Sequence, residues 1–297
     1  MIAIIDIGSN ALRLSVYTID SNAIGGIRQV YRLRYAVGLA GYADECGIIS
    51  AAGIAEVCAA LKDFRSELAG MTISETHAFA TSSLRSAPNA SEIISAISRE
   101  TNFDVEIISG EEEAMCGYVG VSNHTPMDNG LLVDIGGGST EIVECRNGEP
   151  VSAGSAAVGA LRMYSKYITQ TFPTKAQAEK IRREAIEKLP PPATGEKIQT
   201  IIGLGGTMRA LSKLNYAIFK IASDNCAIRA GNVKKILEMI DTQEMLDKIL
   251  HVIPDRIHTI TPGLIILDVI IDLYGCTKIV VSDSGVREGY LIRNVLQ

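Results

Sequence analysis

The sequence predicts an α/β protein of two domains, and three observations lead there. Apolar strand-like runs alternate with helix-periodic segments along most of the chain. A strand followed by Asp-Ile-Gly occurs twice, at Asp6-Ile7-Gly8 and at Asp134-Ile135-Gly136, 128 positions apart. The full length of 297 residues is about twice that of an ordinary domain. Together these read as a duplicated unit, each copy opening with a strand, a glycine turn and a second strand.

Element by element, Ile2-Ala3-Ile4-Ile5 is a buried strand, and Ala11 to Tyr17 alternates as a half-buried one would. Ser50 caps a helix to Leu68, whose Ile54, Val57, Cys58, Leu61 and Leu68 share a face. Thr76 to Ala80 is a short strand, Ser91 to Glu100 a helix and Val105 to Ile108 a strand. Pro126, Asp128 and Asn129 mark a hinge within 123–129, so the domains are expected at 1–124 and 125–297. The second copy starts at Leu131-Leu132-Val133 and continues after its turn through Glu141 to Cys145, with Asn147-Gly148 as a hairpin turn. Thr174 and Gln177 have capping-box spacing for a helix to Leu189, stopped by Pro190-Pro191-Pro192. Thr200-Ile201-Ile202 leads through a loop at Gly203 to Thr207 into a helix from Met208 to Leu214.

Composition narrows the function. Hydrophobic residues make up 47% and charged residues 21%, an ordinary globular balance. A net charge of −6 argues against a general nucleic-acid coat or an anionic membrane surface, so a polyanionic ligand would need a local basic patch or a metal ion. The six cysteines (46, 58, 116, 145, 226 and 276) have neither metal-knuckle nor redox spacing, and several read as buried thiols. The N-terminus lacks signal-peptide character, and the apolar run from Gly263 to Tyr274 is broken by Asp268 and Asp272. A soluble cytoplasmic protein with no membrane or nucleic-acid partner is expected.

Three glycine-rich turns follow apolar strands: Gly8-Ser9-Asn10, Gly136-Gly137-Gly138-Ser139 and Gly205-Gly206-Thr207. Their amides can cradle phosphate oxygens, although any one turn alone could simply close a hairpin. Asp6 and Asp134 end buried strands and Glu141 lies on the outgoing one; such carboxylates suit Mg²⁺, or else bond the amides of their own turns. In Ser109-Gly110-Glu111-Glu112-Glu113, capping and the helix dipole explain Glu112 and leave Glu113 spare as a general base. On local sequence the capping account is the stronger. Arg85 could clamp a phosphoryl group or sit idle on the surface, and Arg13, Arg162, Arg209 and Arg287 invite the same two readings. P-loop and nucleophile-elbow motifs are absent, and the four histidines form no metal pattern.

In order along the chain stand Asp6-Ile7-Gly8-Ser9-Asn10, Thr81-Ser82-Ser83-Leu84-Arg85, Ile108 to Ala114, Asp134 to Glu141, Gly205-Gly206-Thr207 and Gly285-Val286-Arg287-Glu288-Gly289. This series resembles the exopolyphosphatase / guanosine pentaphosphate phosphohydrolase (Ppx/GppA) family. The resemblance implies two actin-like, ribonuclease-H-like domains with the active cleft between them. It also implies Mg²⁺-assisted hydrolysis (Mn²⁺ being an alternative) of a terminal phosphoanhydride in inorganic polyphosphate or guanosine pentaphosphate. Glu113 aligns with the family's water-activating glutamate and Arg85 with its phosphate-binding arginine. Asp134 and Glu141 align with carboxylates supporting metal and phosphate, with Asp6 a further candidate ligand. Gly136, Gly137, Gly138 and Ser139 align with the phosphate loop; Ser9 and Asn10 fall on the opposing one, and Gly206 and Thr207 on the third turn. Ala11 stands where the family usually has serine, and 37–44 is rearranged. Since the sequence stops at Gln297, the further domains of long members are not expected, which favours short polyphosphate or a nucleotide polyphosphate. A homodimer is one expected state. A non-catalytic sensor of the same fold and an ATP-dependent kinase of the same superfamily are the alternatives.

Overall fold

The computed structural model describes residues 1–125, 127–193, 195–220 and 227–296; Pro126, in the expected hinge, and Cys226 lie outside the described residues. The chain divides into two compact units, Met1–Glu113 with Tyr290–Gln297, and Ala114–Gly289.

The first unit is built on strands β1 (Ile2–Ile7), β2 (Leu12–Ile19), β3 (Ile27–Tyr35), β4 (Glu75–Ala80) and β5 (Val105–Ile107), in the order β3-β2-β1-β4-β5. β1, β2 and β3 form an antiparallel meander, while β4 and β5 run parallel to β1. Helices α1 (Ala51–Ala69), α2 (Ser82–Ser86) and α3 (Ala90–Thr101) follow, and α4 starts at Gly110 and runs to Ser122. Ser50 caps α1 as expected, its side chain accepting from the Gly53 amide at 3.4 Å. Val57, Leu61, Phe64 and Leu68 of α1 and Ile93 and Ile97 of α3 meet Ala3, Ile5 and Ile7 of β1 in one core. On the other sheet face Phe79 stacks on Tyr290 at 4.6 Å, and the Tyr290 hydroxyl donates to Glu106 at 2.9 Å. β2 differs from its alternating pattern: Leu12, Leu14, Ser15, Val16 and Tyr17 are all buried, because it is an interior strand with Ser15 bonded to Gln29.

The second unit repeats this plan. β6 (Gly130–Ile135), β7 (Thr140–Arg146) and β8 (Glu149–Ala156) form a meander, and β9 (Thr200–Leu204) and β11 (Lys278–Val281) add in parallel. A short antiparallel strand, β10 (Ala227–Arg229), is added outside β11. Asn147 and Gly148 both have positive φ, 51° and 82°, as a two-residue hairpin turn between β7 and β8 requires. A meander followed by two parallel strands, present in both units, is the sheet of ribonuclease-H-like and actin-like domains. The expected fold class is the one observed, and the repeated strand–turn–strand signature heads each sheet.

Helices α5 (Ala160–Tyr167), α6 (Lys175–Lys188), α7 (Gly205–Phe219), α8 (Gly231–Glu238), α9 (Gln243–Val252) and α10 (Ile260–Tyr274) complete the large core of this unit with one sheet face. The Thr174–Gln177 capping box is present in full. α4 covers the other face through Ala114 and Val121, against Leu132, Val143 and Ile202. It is crossed there by α11 (Val286–Tyr290) at backbone contact distance: a Cβ on Gly120 would run into the Gly285 carbonyl, and one on Gly289 into that of Cys116. Cys58, Cys116, Cys145 and Cys276 are buried, and burial pushes the Cys145 and Cys276 thiols up to about 12. Among the described residues no helix is long and apolar enough to cross a membrane.

Outside the glycine turns, one charge cluster has a pH dependence that can be worked out. Glu184 on α6 is buried, accepting from Lys166, Lys188 and the Tyr167 hydroxyl. Burial alone would raise its carboxyl, but these three donors outweigh it and hold the group at about 2, against an ordinary 4.5. The stabilisation is therefore complete above about pH 4.5 and is lost as pH falls toward 2. With both lysines partly exposed, we expect Glu184→Gln to cost on the order of 1–2 kcal/mol near pH 7 and nothing near pH 2. Urea melts of wild type and variant across this range check it; a constant difference would refute it.

Candidate active site

Each Asp-Ile-Gly turn is pinned from behind. In the first unit the Gly8 amide donates to the Ala11 carbonyl at 3.2 Å, closing the turn between β1 and β2. The Ser9 and Asn10 carbonyls accept from the Ala40 and Gly38 amides, both at 3.0 Å. The segment whose sequence departs from the family pattern thus anchors this turn. The Ser9 hydroxyl is buried against that of Ser82 at 2.7 Å. In the second unit the Gly136 amide donates to the Ser139 carbonyl at 2.9 Å, the same bond displaced by 128 residues. The Gly136 carbonyl accepts from Ala160, and that of Gly137 from Leu161 and Arg162, all at 2.9 Å, so the start of α5 takes two of the loop's carbonyls. Among the described residues no protein acceptor takes the amides of Gly137, Gly138 or Ser139. Carbonyls held inward with amides left over make an anion cradle. Gly159 lets α5 come this close, since a Cβ there would lie 2.5 Å from the Gly137 carbonyl and the Ser139 nitrogen.

The two turns differ in what faces their aspartate. Asp6 is in register with Arg13 across β1 and β2, and Arg13 Nη1 donates to Asp6 Oδ2 at 3.0 Å. At the corresponding positions Asp134 is in register with Glu141. Glu141 is buried and accepts from the Ser155 hydroxyl at 2.7 Å. A carboxylate facing a guanidinium is neutralised in place. Two carboxylates directly opposite repel, and a cation between them relieves the repulsion. Asp134 and Glu141 supply the type of oxygen ligand that a divalent ion takes together with phosphate and water. Among the described residues no three His, Cys, Asp or Glu side chains gather as a complete ligand set.

The third turn is not a loop. α7 begins at Gly205 itself, so Gly205, Gly206 and Thr207 are its first turn, with amides at a helix N-terminus. Gly205 has φ of +77°, and a Cβ there would overlap the Asp134 carboxylate. Thr207 donates its hydroxyl to the Ile135 carbonyl at 2.8 Å, tying α7 to the end of β6. Arg256 lies against Gly206, close enough that a Cβ there would collide with its guanidinium. Sequence reasoning missed this arginine: nothing in Ile253-Pro254-Asp255-Arg256 links it to a glycine turn 50 positions earlier.

Glu113 sits in the first turn of α4. Ser109 caps that helix, its Oγ accepting from the Glu112 amide at 3.1 Å. Only half of the capping box is made, because Glu112 Oε1 accepts from Asn294 at 3.0 Å instead of reaching back. Glu113 is buried, and Arg85 Nη1 donates both to Glu113 Oε2 and to the Ile108 carbonyl, each at 3.0 Å. α2 delivers Arg85 directly after β4, so the arginine and the spare glutamate meet at the ends of two parallel strands.

The model of the Ppx/GppA phosphatase family matches residues 15–297. The chain belongs to that family. Among Ppx/GppA relatives, a Haemophilus influenzae protein provisionally named an exopolyphosphatase is 27% identical, over 98% of this chain and 90% of its own length. A guanosine-5′-triphosphate,3′-diphosphate pyrophosphatase of Aeromonas hydrophila is also 27% identical, over 97% of this chain, which spans 58% of that relative. The crystal structure of an exopolyphosphatase from Cytophaga hutchinsonii superposes with a TM-score of 0.86 over 98% of this chain and 96% of that one, at 23% identity. Ppx/GppA members are phosphatases acting on phosphoanhydrides, so the chain is of a hydrolase family with exopolyphosphatase-type and pentaphosphate-type relatives.

Proposed function

We propose that this protein releases terminal phosphate from inorganic polyphosphate or guanosine pentaphosphate. The observation that carries the reading is the 136–139 loop, where α5 bonds the Gly136 and Gly137 carbonyls from behind while the amides of Gly137, Gly138 and Ser139 are left for an anion. Phosphoryl transfer needs positioning and charge compensation more than covalent help. In this reading the amides of Gly137, Gly138 and Ser139 hold phosphate oxygens, with the first turn of α7 at Gly206 and Thr207 as a further source of amides; the Ser9–Asn10 turn is the corresponding candidate in the first unit.

Asp134 and Glu141 would hold Mg²⁺, or Mn²⁺, which would neutralise phosphoryl charge when bound. Glu113 accepts the proton of the attacking water. Arg85 has a double role: with no phosphate present its guanidinium balances Glu113. When a phosphoryl oxygen takes that guanidinium, the Arg85–Glu113 contact is shared with the substrate, which brings the carboxylate next to the phosphoryl group.

The test is phosphate release from tripolyphosphate, long-chain polyphosphate and guanosine pentaphosphate with Mg²⁺ or Mn²⁺. Turnover of at least one is expected. Binding of these ligands with no release of phosphate would turn the reading toward a sensor.

A further inference from the structure

Against a net charge of −6, strand β3 is Ile-Arg-Gln-Val-Tyr-Arg-Leu-Arg-Tyr, with three arginines and no acid. It is the edge of the first unit's sheet. Its residues Tyr31, Leu33 and Tyr35 pack toward the α1 core, leaving Arg32 and Arg34 exposed on the other face. In register, Arg34 lies beside Arg13 and Arg32 beside Ser15, so the row from β1 outward reads Asp6, Arg13, Arg34. The same end of the sheet carries the Gly8–Asn10 turn, to which the chain returns at Gly38 and Ala40 directly after β3. The register shift between Val16 and Tyr17 sets Arg28 opposite Thr18, on the other face, where it pairs with Asp20 at 2.9 Å.

We infer that Arg32 and Arg34, continuing from Arg13, form an accessory subsite for the trailing phosphates of an inorganic polyphosphate chain. Arg32 and Arg34 are about 7 Å apart along the strand, a spacing that lets a flexible polyphosphate engage both. Arginine's planar fork also grips phosphate oxygens in pairs. Charge on an edge strand discourages unwanted pairing as well, but any charge does that, and it does not call for arginines of one sign beside a phosphate-type turn. The inference deepens the proposed function and rests on it for the identity of the ligand. It runs against the expectation of short substrates, since tripolyphosphate is too short to occupy both a glycine turn and the strip.

The test is direct binding of long-chain polyphosphate by calorimetry at several salt concentrations, together with phosphate release from tripolyphosphate. The double variant Arg32→Gln/Arg34→Gln should bind the long chain about tenfold more weakly at low salt, with the log–log salt slope reduced by about one per arginine. Its tripolyphosphate turnover should match wild type, and Arg28→Gln, the same charge change on the other face, should bind normally. Unchanged long-chain affinity in the double variant, or an equal loss in Arg28→Gln, overturns the subsite. So does single-stranded RNA of equal phosphate number binding the wild type more tightly than polyphosphate. If no substrate is hydrolysed and the double variant alone loses binding, the strip stands and the hydrolase reading fails.

Discussion

Glu113→Gln is expected to lower the rate of phosphate release by about 10²–10⁴-fold, the range a positioned general base supplies. Glutamine keeps the length of the side chain and an oxygen that can accept from Arg85 at the 3.0 Å seen for Glu113 Oε2. The start of α4 should therefore survive, with Ser109 still capping Glu112. Substrate affinity should hold or improve, because a buried negative charge has been removed near bound phosphate. Single-turnover phosphate release, paired with calorimetric binding, separates the two effects. A variant within threefold of wild type would remove Glu113 from the chemistry. A large loss accompanied by a collapsed melting temperature would point to structure instead.

Gly289→Ala should be strongly destabilising, its Cβ meeting the Cys116 carbonyl at 1.7 Å. Gly120→Ala would meet the Gly285 carbonyl in the same way. In both cases the obstacle is backbone inside a helix crossing, which cannot rotate away as a side-chain tip can. We expect each to cost at least about 3 kcal/mol, the upper part of the range for overpacking. That corresponds to roughly 6–12 °C in melting temperature for a unit of this size. Gly231→Ala is the control: its Cβ would point into open space, so the change should be neutral or slightly stabilising. Differential scanning calorimetry decides, and equal midpoints for Gly289→Ala and Gly231→Ala would show that α4 and α11 tolerate separation.

What could be read beforehand follows the range of each interaction. Local signals were enough for Ser50, the Thr174–Gln177 box and Asn147-Gly148, since each cap or turn is satisfied within four residues. The duplication was legible because the turns carry the same three residues, and the bond from Gly8 to Ala11 recurs from Gly136 to Ser139. Gly205 was read as loop because glycine is a poor helix former. The structure uses it to start α7, where the Asp134 carboxylate leaves no room for a side chain. The partner of Asp6 was hidden for another reason: Arg13 meets it only once β1 and β2 are aligned, and register is not visible in composition. Arg256 beside Gly206 depends on tertiary packing, and no short motif announces it. Glu113 lies between these cases. Capping accounted for its neighbour, the family resemblance singled it out, and the contact with Arg85 gives it a physical partner.

The cover over Phe79 has a bearing on how the protein is made. Tyr290, which stacks on Phe79 and bonds Glu106, and Asn294, which bonds Glu112, belong to the unit whose strands are synthesised first. At roughly 5–20 residues per second, the ribosome needs about ten to thirty-five seconds after Glu113 to reach them. Residues 114–289 are made in that interval, while the earlier sheet waits with an aromatic face open to water. The unit whose strands come first is thus completed only when Tyr290 and Asn294 arrive, and the interval before that is when its aromatic face is exposed to chaperone capture or to aggregation.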